Sequence, residues 1–139
     1  RADWMLENAD VKIGIAKLAD EMKIYARNGD GDEVRFIHEG TGTLETDYGD
    51  LDYRTGDYIV LPRGTTYRFV AKTPNTQLVV ESAGEIELPD RGMLGRHAQF
   101  DPMVMRTPRL PDGEKASGRN SAGEWELQIK REEAWTSVF

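Results

Sequence analysis

The chain has 139 residues, which suits one domain with a proper core. Hydrophobic residues make up 38% and charged residues 31%, and the formal net charge is -7 without any run of Lys or Arg. This balance disfavours a nucleic-acid or anionic-membrane surface. There is no cysteine, and no apolar stretch approaches the roughly 20 residues of a membrane helix. We therefore expect a cytoplasmic protein that binds neither nucleic acid nor membrane.

Short runs in which apolar and polar residues alternate dominate the first part of the chain and predict strands. Val11–Ala16 is the first, and Met22–Arg27 ends at Asn28–Gly31, a turn rich in residues that tolerate positive φ. Further strands are predicted at Glu33–His38, Thr43–Thr46, Leu51–Tyr53, Tyr58–Leu61, Thr65–Val70 and Gln77–Glu81. About eight short, closely spaced strands predict an all-β barrel or sandwich. Only Ala16–Met22 offers a helical turn as an alternative.

The character of the sequence changes after Ser82. Prolines punctuate residues 89–111, and proline cannot donate to a sheet ladder, so we predict an irregular arm draped over the barrel. Residues 112–123 are rich in Gly, Ser, Lys and Glu and predict a mobile loop. Trp125–Lys130 resumes alternation and predicts a returning strand. We divide the chain into a barrel at 1–88 and, at 89–139, an arm, a loop and a strand packed on the barrel.

Two stretches of the chain resemble the signature motifs of a cupin. Glu33 lies seven residues before Gly40, and Tyr67 follows Pro62-x-Gly64-x-x. The first cupin motif supplies two His and one Glu to a metal, and the second supplies one His. Here Glu33 holds the glutamate slot, residues 26–29 contain no His, and Tyr67 stands in the slot of the second-motif His. The resemblance implies a cupin-type double-stranded β-helix, a jelly-roll barrel, without its histidine ligands.

The two histidines of the chain do not restore such a metal site. His38 is five residues from Glu33 on one predicted strand, an odd number, so the two side chains point to opposite faces. His97 lies in the irregular arm. A mononuclear Fe(II) oxygenase site needs two imidazoles and one carboxylate on one face. The sequence therefore predicts no metal site and no catalytic residue within this chain.

Three polar residues are the remaining candidates for a site: Glu33, Arg35 and Tyr67, which we expect to line the barrel interior. One interpretation is a pocket for a small ligand. The other is a satisfied ion pair, with Tyr67 filling the space that a metal would leave. We favour the ion pair, and the ligand pocket stays open as the alternative.

Longer blocks make the resemblance more specific. Arg27–Thr46 and Gly56–Arg68 are similar to the first cupin half of homogentisate 1,2-dioxygenases, and Glu81–Ile86 and Gly95–His97 follow in the same order. The resemblance covers residues 8–110. It implies a family of Fe(II) extradiol-type enzymes that open the ring of homogentisate with O2, giving maleylacetoacetate, in tyrosine and phenylalanine breakdown. In that family the iron lies in the second cupin half, and the first half holds none.

The resemblance thus implies an amino-terminal, non-catalytic scaffold that is inactive alone. Its implied partners are the rest of the parent polypeptide, which would carry Fe(II), and further copies in a trimer or hexamer. The chain begins at Arg1 without Met and ends in an apolar cluster, so we expect a fragment of a longer protein. The alternative is a free-standing, metal-less cupin that binds a small molecule or a protein partner.

Overall fold

The structure is a computed structural model that describes residues 1–87, 101–110 and 124–139. The predicted mobile loop at 112–123, His97 and most of the predicted arm lie outside these residues. Within them the chain forms eleven strands and the short 3-10 helix Pro102–Val104. The strands are β1 Ala2–Glu7, β2 Val11–Leu18, β3 Tyr25–Asn28, β4 Asp32–Glu39, β5 Gly42–Thr46, β6 Gly49–Tyr53, β7 Tyr58–Leu61, β8 Thr66–Ala71, β9 Asn75–Ser82, β10 Leu127–Arg131 and β11 Ala134–Val138.

The strands form two sheets that enclose one interior. The first has the order β1-β2-β9-β4-β7, and the second has the order β11-β10-β3-β8-β5-β6. The all-β prediction is confirmed. The segment offered as a helical turn is not helical: residues 16–18 end β2, and residues 19–22 follow it without regular structure. The described part of the chain contains no helix long and apolar enough to cross a membrane.

The core lies between the two sheets. Its most completely buried side chains are Phe69, Ile37, Leu44, Gln77 and Val79. Tyr53 and Tyr67 each meet Phe69 edge to face, with ring centroids 5.5 and 5.7 Å apart, a favoured aromatic arrangement. The alternation of β8 puts Tyr67 and Phe69 inside, because every second residue of a strand faces the same side.

The returning strand joins the second sheet through a parallel pairing. β10 lies beside β3, with Lys130 opposite Asn28. It begins at Leu127 rather than at Trp125, whose ring instead packs edge-on against Tyr25 and lies 4.5 Å from the Arg68 guanidinium carbon. The pairing brings the turn between β10 and β11 next to the turn after β3.

Two strands at the ends of the chain are not predicted by alternation. β1 carries Trp4, Met5 and Leu6 in succession, so its sequence has no period of two. It forms because β2 offers it a free edge to pair with. β11 is the segment that looks like an apolar tail, and it pairs with β10 as the second strand of a hairpin. In both cases, pairing with a neighbour outweighs a weak local pattern.

The hairpin of β10 and β11 turns through two residues in an unusual conformation. Glu132 and Glu133 have φ of 50° and 64°, as a tight hairpin turn requires. The Asp30 carboxylate accepts hydrogen bonds from both backbone N–H groups, at 2.7 and 3.0 Å. Partial burial would raise the pKa of Asp30, but these bonds and Lys130 outweigh it and lower that pKa. Asp30 thereby ties the hairpin to the barrel.

Replacing Asp30 with Ala should lower the free energy of unfolding by about 1–2 kcal/mol, because two backbone donors lose their charged acceptor. Denaturant titration of the wild type and the variant measures this change. Asp30→Asn is the matched control: it keeps one acceptor oxygen and should lose less. A loss below about 0.3 kcal/mol for Asp30→Ala would mean that Asp30 does not hold the hairpin on the barrel.

Candidate functional site

The candidate residues come from two facing strands. In β4 the alternation buries Glu33 and Arg35 and leaves His38 exposed beside Phe36 on the outer face. The prediction that Glu33 and His38 face opposite sides therefore agrees with the structure. Tyr67 comes from β8 in the other sheet and is 3% exposed. The structure brings Glu33, Arg35 and Tyr67 together in the barrel interior.

The Arg35 guanidinium is the centre of the cluster. Nε donates to Glu33 Oε2 at 2.9 Å, and Nη1 donates to Gln77 Oε1 at 3.1 Å. Nη2 lies 2.8 Å from Glu33 Oε2 and donates to Tyr67 Oη at 2.8 Å. The guanidinium carbon lies 5.2 Å from the ring centroid of Tyr67 and 5.0 Å from that of Phe69, within cation–π range. Charge, hydrogen bonds and aromatic rings all hold the cation.

A second charge pair continues the cluster. Asn28 Nδ2 donates to Glu33 Oε1 at 2.9 Å and to Glu81 Oε2 at 2.7 Å. Glu81 Oε1 accepts from Lys130 Nζ at 2.5 Å. Asn28, Glu81 and Lys130 are all buried. One chain of hydrogen bonds therefore runs from Lys130 through both carboxylates to Arg35, and on to Tyr67 and Gln77.

Sequence reasoning did not select four members of this polar cluster. They are Asn28, Gln77, Glu81 and Lys130. Alternation along the predicted strands offers a signal for Gln77 and Glu81, since both lie an even number of residues from the core residue Val79. Lys130 has no such signal, because the parallel pairing of β10 with β3 joins segments about a hundred residues apart.

The protonation states follow from burial and charge. Burial would raise the pKa of Glu33, but the neighbouring guanidinium and hydrogen bonds outweigh it and lower that pKa. Burial would lower the pKa of Arg35, yet Tyr67 and Glu33 raise it. Burial raises the pKa of Tyr67, against the pull of Arg35, so the phenol stays neutral. Burial would lower the pKa of Lys130, but its bond to Glu81 raises it.

A metal ion does not fit this cluster. Glu33 and Tyr67 hold the cupin ligand slots, and the cationic Nη2 of Arg35 lies 2.8 Å from an oxygen of each. In the described ranges no group of three or more His, Cys, Asp or Glu side chains could hold a metal ion. The Glu33 and Glu81 oxygens already accept hydrogen bonds from Asn28, Arg35 and Lys130.

The space beside the cluster is small. A cavity of about 90 Å³ adjoins it. Its lining includes Glu33, Arg35, Tyr67, Glu81, Leu18, Met22 and Trp135. A cavity of this size can admit water molecules. Pockets for drug-sized ligands measure roughly 300–1,000 Å³.

A larger groove lies elsewhere on the barrel. It measures about 480 Å³ and is formed by β6, β7 and residues 104–108. Its walls are mainly apolar, and an ion pair between Arg106 and Asp57, 3.1 Å apart, stands at one side. No residue of the polar cluster lines it. The groove and the cluster are therefore separate features.

Two facing sheets around an interior with Glu33 and Tyr67 in the motif slots define a cupin-type barrel. The crystal structure of a cupin-2 domain containing protein from Shewanella frigidimarina NCIMB 400 is similar, with a TM-score of 0.52 at 22% identity. The match covers 59% of this chain and 79% of that one. At this identity it shows the fold alone, and it confirms the predicted cupin-type fold.

The chain belongs to the homogentisate 1,2-dioxygenase N-terminal family, whose family model matches residues 5–119. It is 33% identical over 86 residues to a candidate dioxygenase of Saccharolobus solfataricus, covering 61% of this chain and 22% of that protein. It is 28% identical over 109 residues to homogentisate 1,2-dioxygenase of Dictyostelium discoideum, covering 73% and 25%. The chain thus spans a quarter or less of these relatives. The predicted family membership is confirmed.

Replacing Tyr67 with Ala should lower the free energy of unfolding by about 3 kcal/mol or more, because it removes a buried ring and the partner of Arg35. Tyr67→Phe keeps the ring and loses only the hydroxyl, so about 1–2 kcal/mol is expected. Chemical denaturation of the three proteins measures both values. A loss below about 0.5 kcal/mol for Tyr67→Ala would mean that Tyr67 does not fill the core.

Because the pKa of Glu33 is lowered in the folded protein, the free energy of unfolding should fall as the pH becomes acidic. The stabilising contribution of Glu33 is present above the unfolded-state pKa of about 4.3 and is lost as pH falls through the lower folded value. Below about pH 4.3 the wild type should lose up to about 1.4 kcal/mol per pH unit more than a Glu33→Gln/Arg35→Met variant, in which the pair is replaced. Unfolding curves between pH 7 and 3 test this, and parallel curves would contradict it.

Proposed function

We propose that this domain is the amino-terminal portion of a homogentisate 1,2-dioxygenase-like Fe(II) ring-cleaving enzyme, in which it acts as a non-catalytic scaffold. The observation that carries the proposal is the Arg35 guanidinium bound between the two ligand slots, Glu33 and Tyr67. Family membership and a relative named homogentisate 1,2-dioxygenase support the parent activity.

The chemistry of the interior supports a scaffold. An iron oxygenase needs open coordination positions for substrate and O2. Here the carboxylates bind protein cations, and the adjoining space of about 90 Å³ is well below the size of an ordinary ligand pocket. Iron, substrate and catalysis are therefore assigned to the rest of the polypeptide, and this barrel contributes a rigid, internally paired support. We propose that the assembly is a trimer or hexamer and works in the cytoplasm.

The second candidate is a free-standing, metal-less cupin that binds a small molecule or a protein partner. The apolar groove formed by β6, β7 and residues 104–108 favours it, since its volume of about 480 Å³ lies in the range of ligand pockets. The polar cluster does not favour it, because its groups already bind one another.

Oxygen uptake with homogentisate, measured on this chain and on the full-length protein from its source, tests the scaffold. The full-length protein should open the ring and contain iron, whereas this chain alone should do neither. In the full-length protein, Glu33→Gln/Arg35→Met should leave kcat within about twofold, because the cluster touches no substrate.

Three outcomes would count against the scaffold. The first is stoichiometric iron in this chain alone, and the second is a loss of kcat of tenfold or more in the folded double variant. The third is an intact mass of the natural protein that corresponds to a chain ending near residue 139. That mass would favour the free-standing binding protein.

A further inference from the structure

We propose that the Arg35 guanidinium is a permanent internal cation that takes the place of the cupin metal and keeps divalent ions out of the barrel. A single nitrogen, Nη2, lies 2.8 Å from both Glu33 Oε2 and Tyr67 Oη. These two side chains hold the glutamate slot and the second-motif histidine slot. The nitrogen therefore stands between the positions from which a metal would be held.

The barrel needs a cation at this place. Glu33 and Glu81 are directly opposite each other on the neighbouring strands β4 and β9, and both are buried. Like charges in opposite positions repel, and a buried carboxylate is costly unless it is paired. Arg35 pairs with Glu33, and Lys130 pairs with Glu81.

A guanidinium supplies the required positive charge as part of the chain, without an ion that could exchange. It cannot lose its proton in a protein, and its donors form a fixed planar fork. In the barrel the fork donates to Glu33, Gln77 and Tyr67. A divalent ion entering between Glu33 and Tyr67 would meet this fixed positive charge at contact distance and would be repelled.

Removing the guanidinium would free the Glu33 carboxylate for a metal, while Glu81 would stay bound to Lys130. Glu33 and Glu81 face one another across Asn28, whose Nδ2 bonds to both. Residue 67 reaches toward Glu33 from the opposite sheet, so a histidine there would add an imidazole. Carboxylates with an imidazole bind first-row divalent metals, and the adjoining cavity of about 90 Å³ leaves room for water ligands.

Four proteins test the inference with Co(II) as the probe: the wild type, Tyr67→His, Arg35→Gln/Tyr67→His and Arg35→Lys/Tyr67→His. The Gln variant removes the positive charge but keeps a polar side chain of similar reach. We expect it to bind one Co(II), at least 100-fold more tightly than Tyr67→His. The Lys variant keeps a cation and should bind no better than Tyr67→His. Titration calorimetry and the visible absorption of bound Co(II) measure these differences.

Two further measurements make the result decisive. Adding Glu33→Gln to the Arg35→Gln/Tyr67→His protein should abolish Co(II) binding, which distinguishes this site from adventitious surface binding. If the Arg35→Gln/Tyr67→His protein is unfolded without metal, Co(II) should restore its circular dichroism spectrum, because binding to the folded state stabilises it. The readouts are metal affinity and folding, so they do not depend on the proposed scaffold role.

Equal Co(II) affinity of Tyr67→His and Arg35→Gln/Tyr67→His would overturn the inference, because Arg35 would then exclude nothing. A folded Arg35→Gln/Tyr67→His protein that binds no Co(II) would overturn it as well. The inference would also be overturned if neither Arg35→Gln/Tyr67→His nor Arg35→Ala/Tyr67→His folds in the presence of Co(II), because the metal could not then replace the guanidinium.

Discussion

Two opposed, buried carboxylates must each be paired with a positive charge, and the interior of this barrel depends on that constraint. Glu33 and Glu81 face each other across neighbouring strands, where their repulsion would separate β4 and β9 if nothing balanced it. Arg35 and Lys130 bring two positive charges, and Asn28 donates to both carboxylates. The desolvation of four charged groups is offset only because every one is paired and hydrogen-bonded.

The two cations of the cluster come from different parts of the chain, Arg35 from β4 and Lys130 from β10. Arg35 lies two residues from Glu33 on the same strand, so its position follows from the alternation of β4. Lys130 comes from the last part of the chain, on a strand parallel to β3. The hairpin that carries it is tied down by Asp30. The terminal strands and the barrel therefore form one electrostatic unit, although the sequence pattern divides the chain at residue 88.

The cupin-like motifs predict from the sequence that Glu33 and Tyr67 face the interior. Alternation then predicts that His38 faces outward, because the side chains of a strand alternate between its two faces. Alternation does not predict the place of Lys130, because neither segment alone specifies the register of a pairing between strands about a hundred residues apart. For the same reason β1 and β11 were missed: pairing with a free edge forms them, and their own residue pattern does not.

A guanidinium and a metal ion satisfy the same carboxylate with different consequences. A metal can leave, exchange and keep positions open for substrate, which is the basis of its chemistry. Arg35 is covalently part of β4, and its donors are engaged by Glu33, Gln77 and Tyr67. In the proposed scaffold role, such a barrel would be stable without a metal and would offer no open coordination position. In a parent enzyme whose other part binds iron, such an internal cation would direct the metal to one site alone.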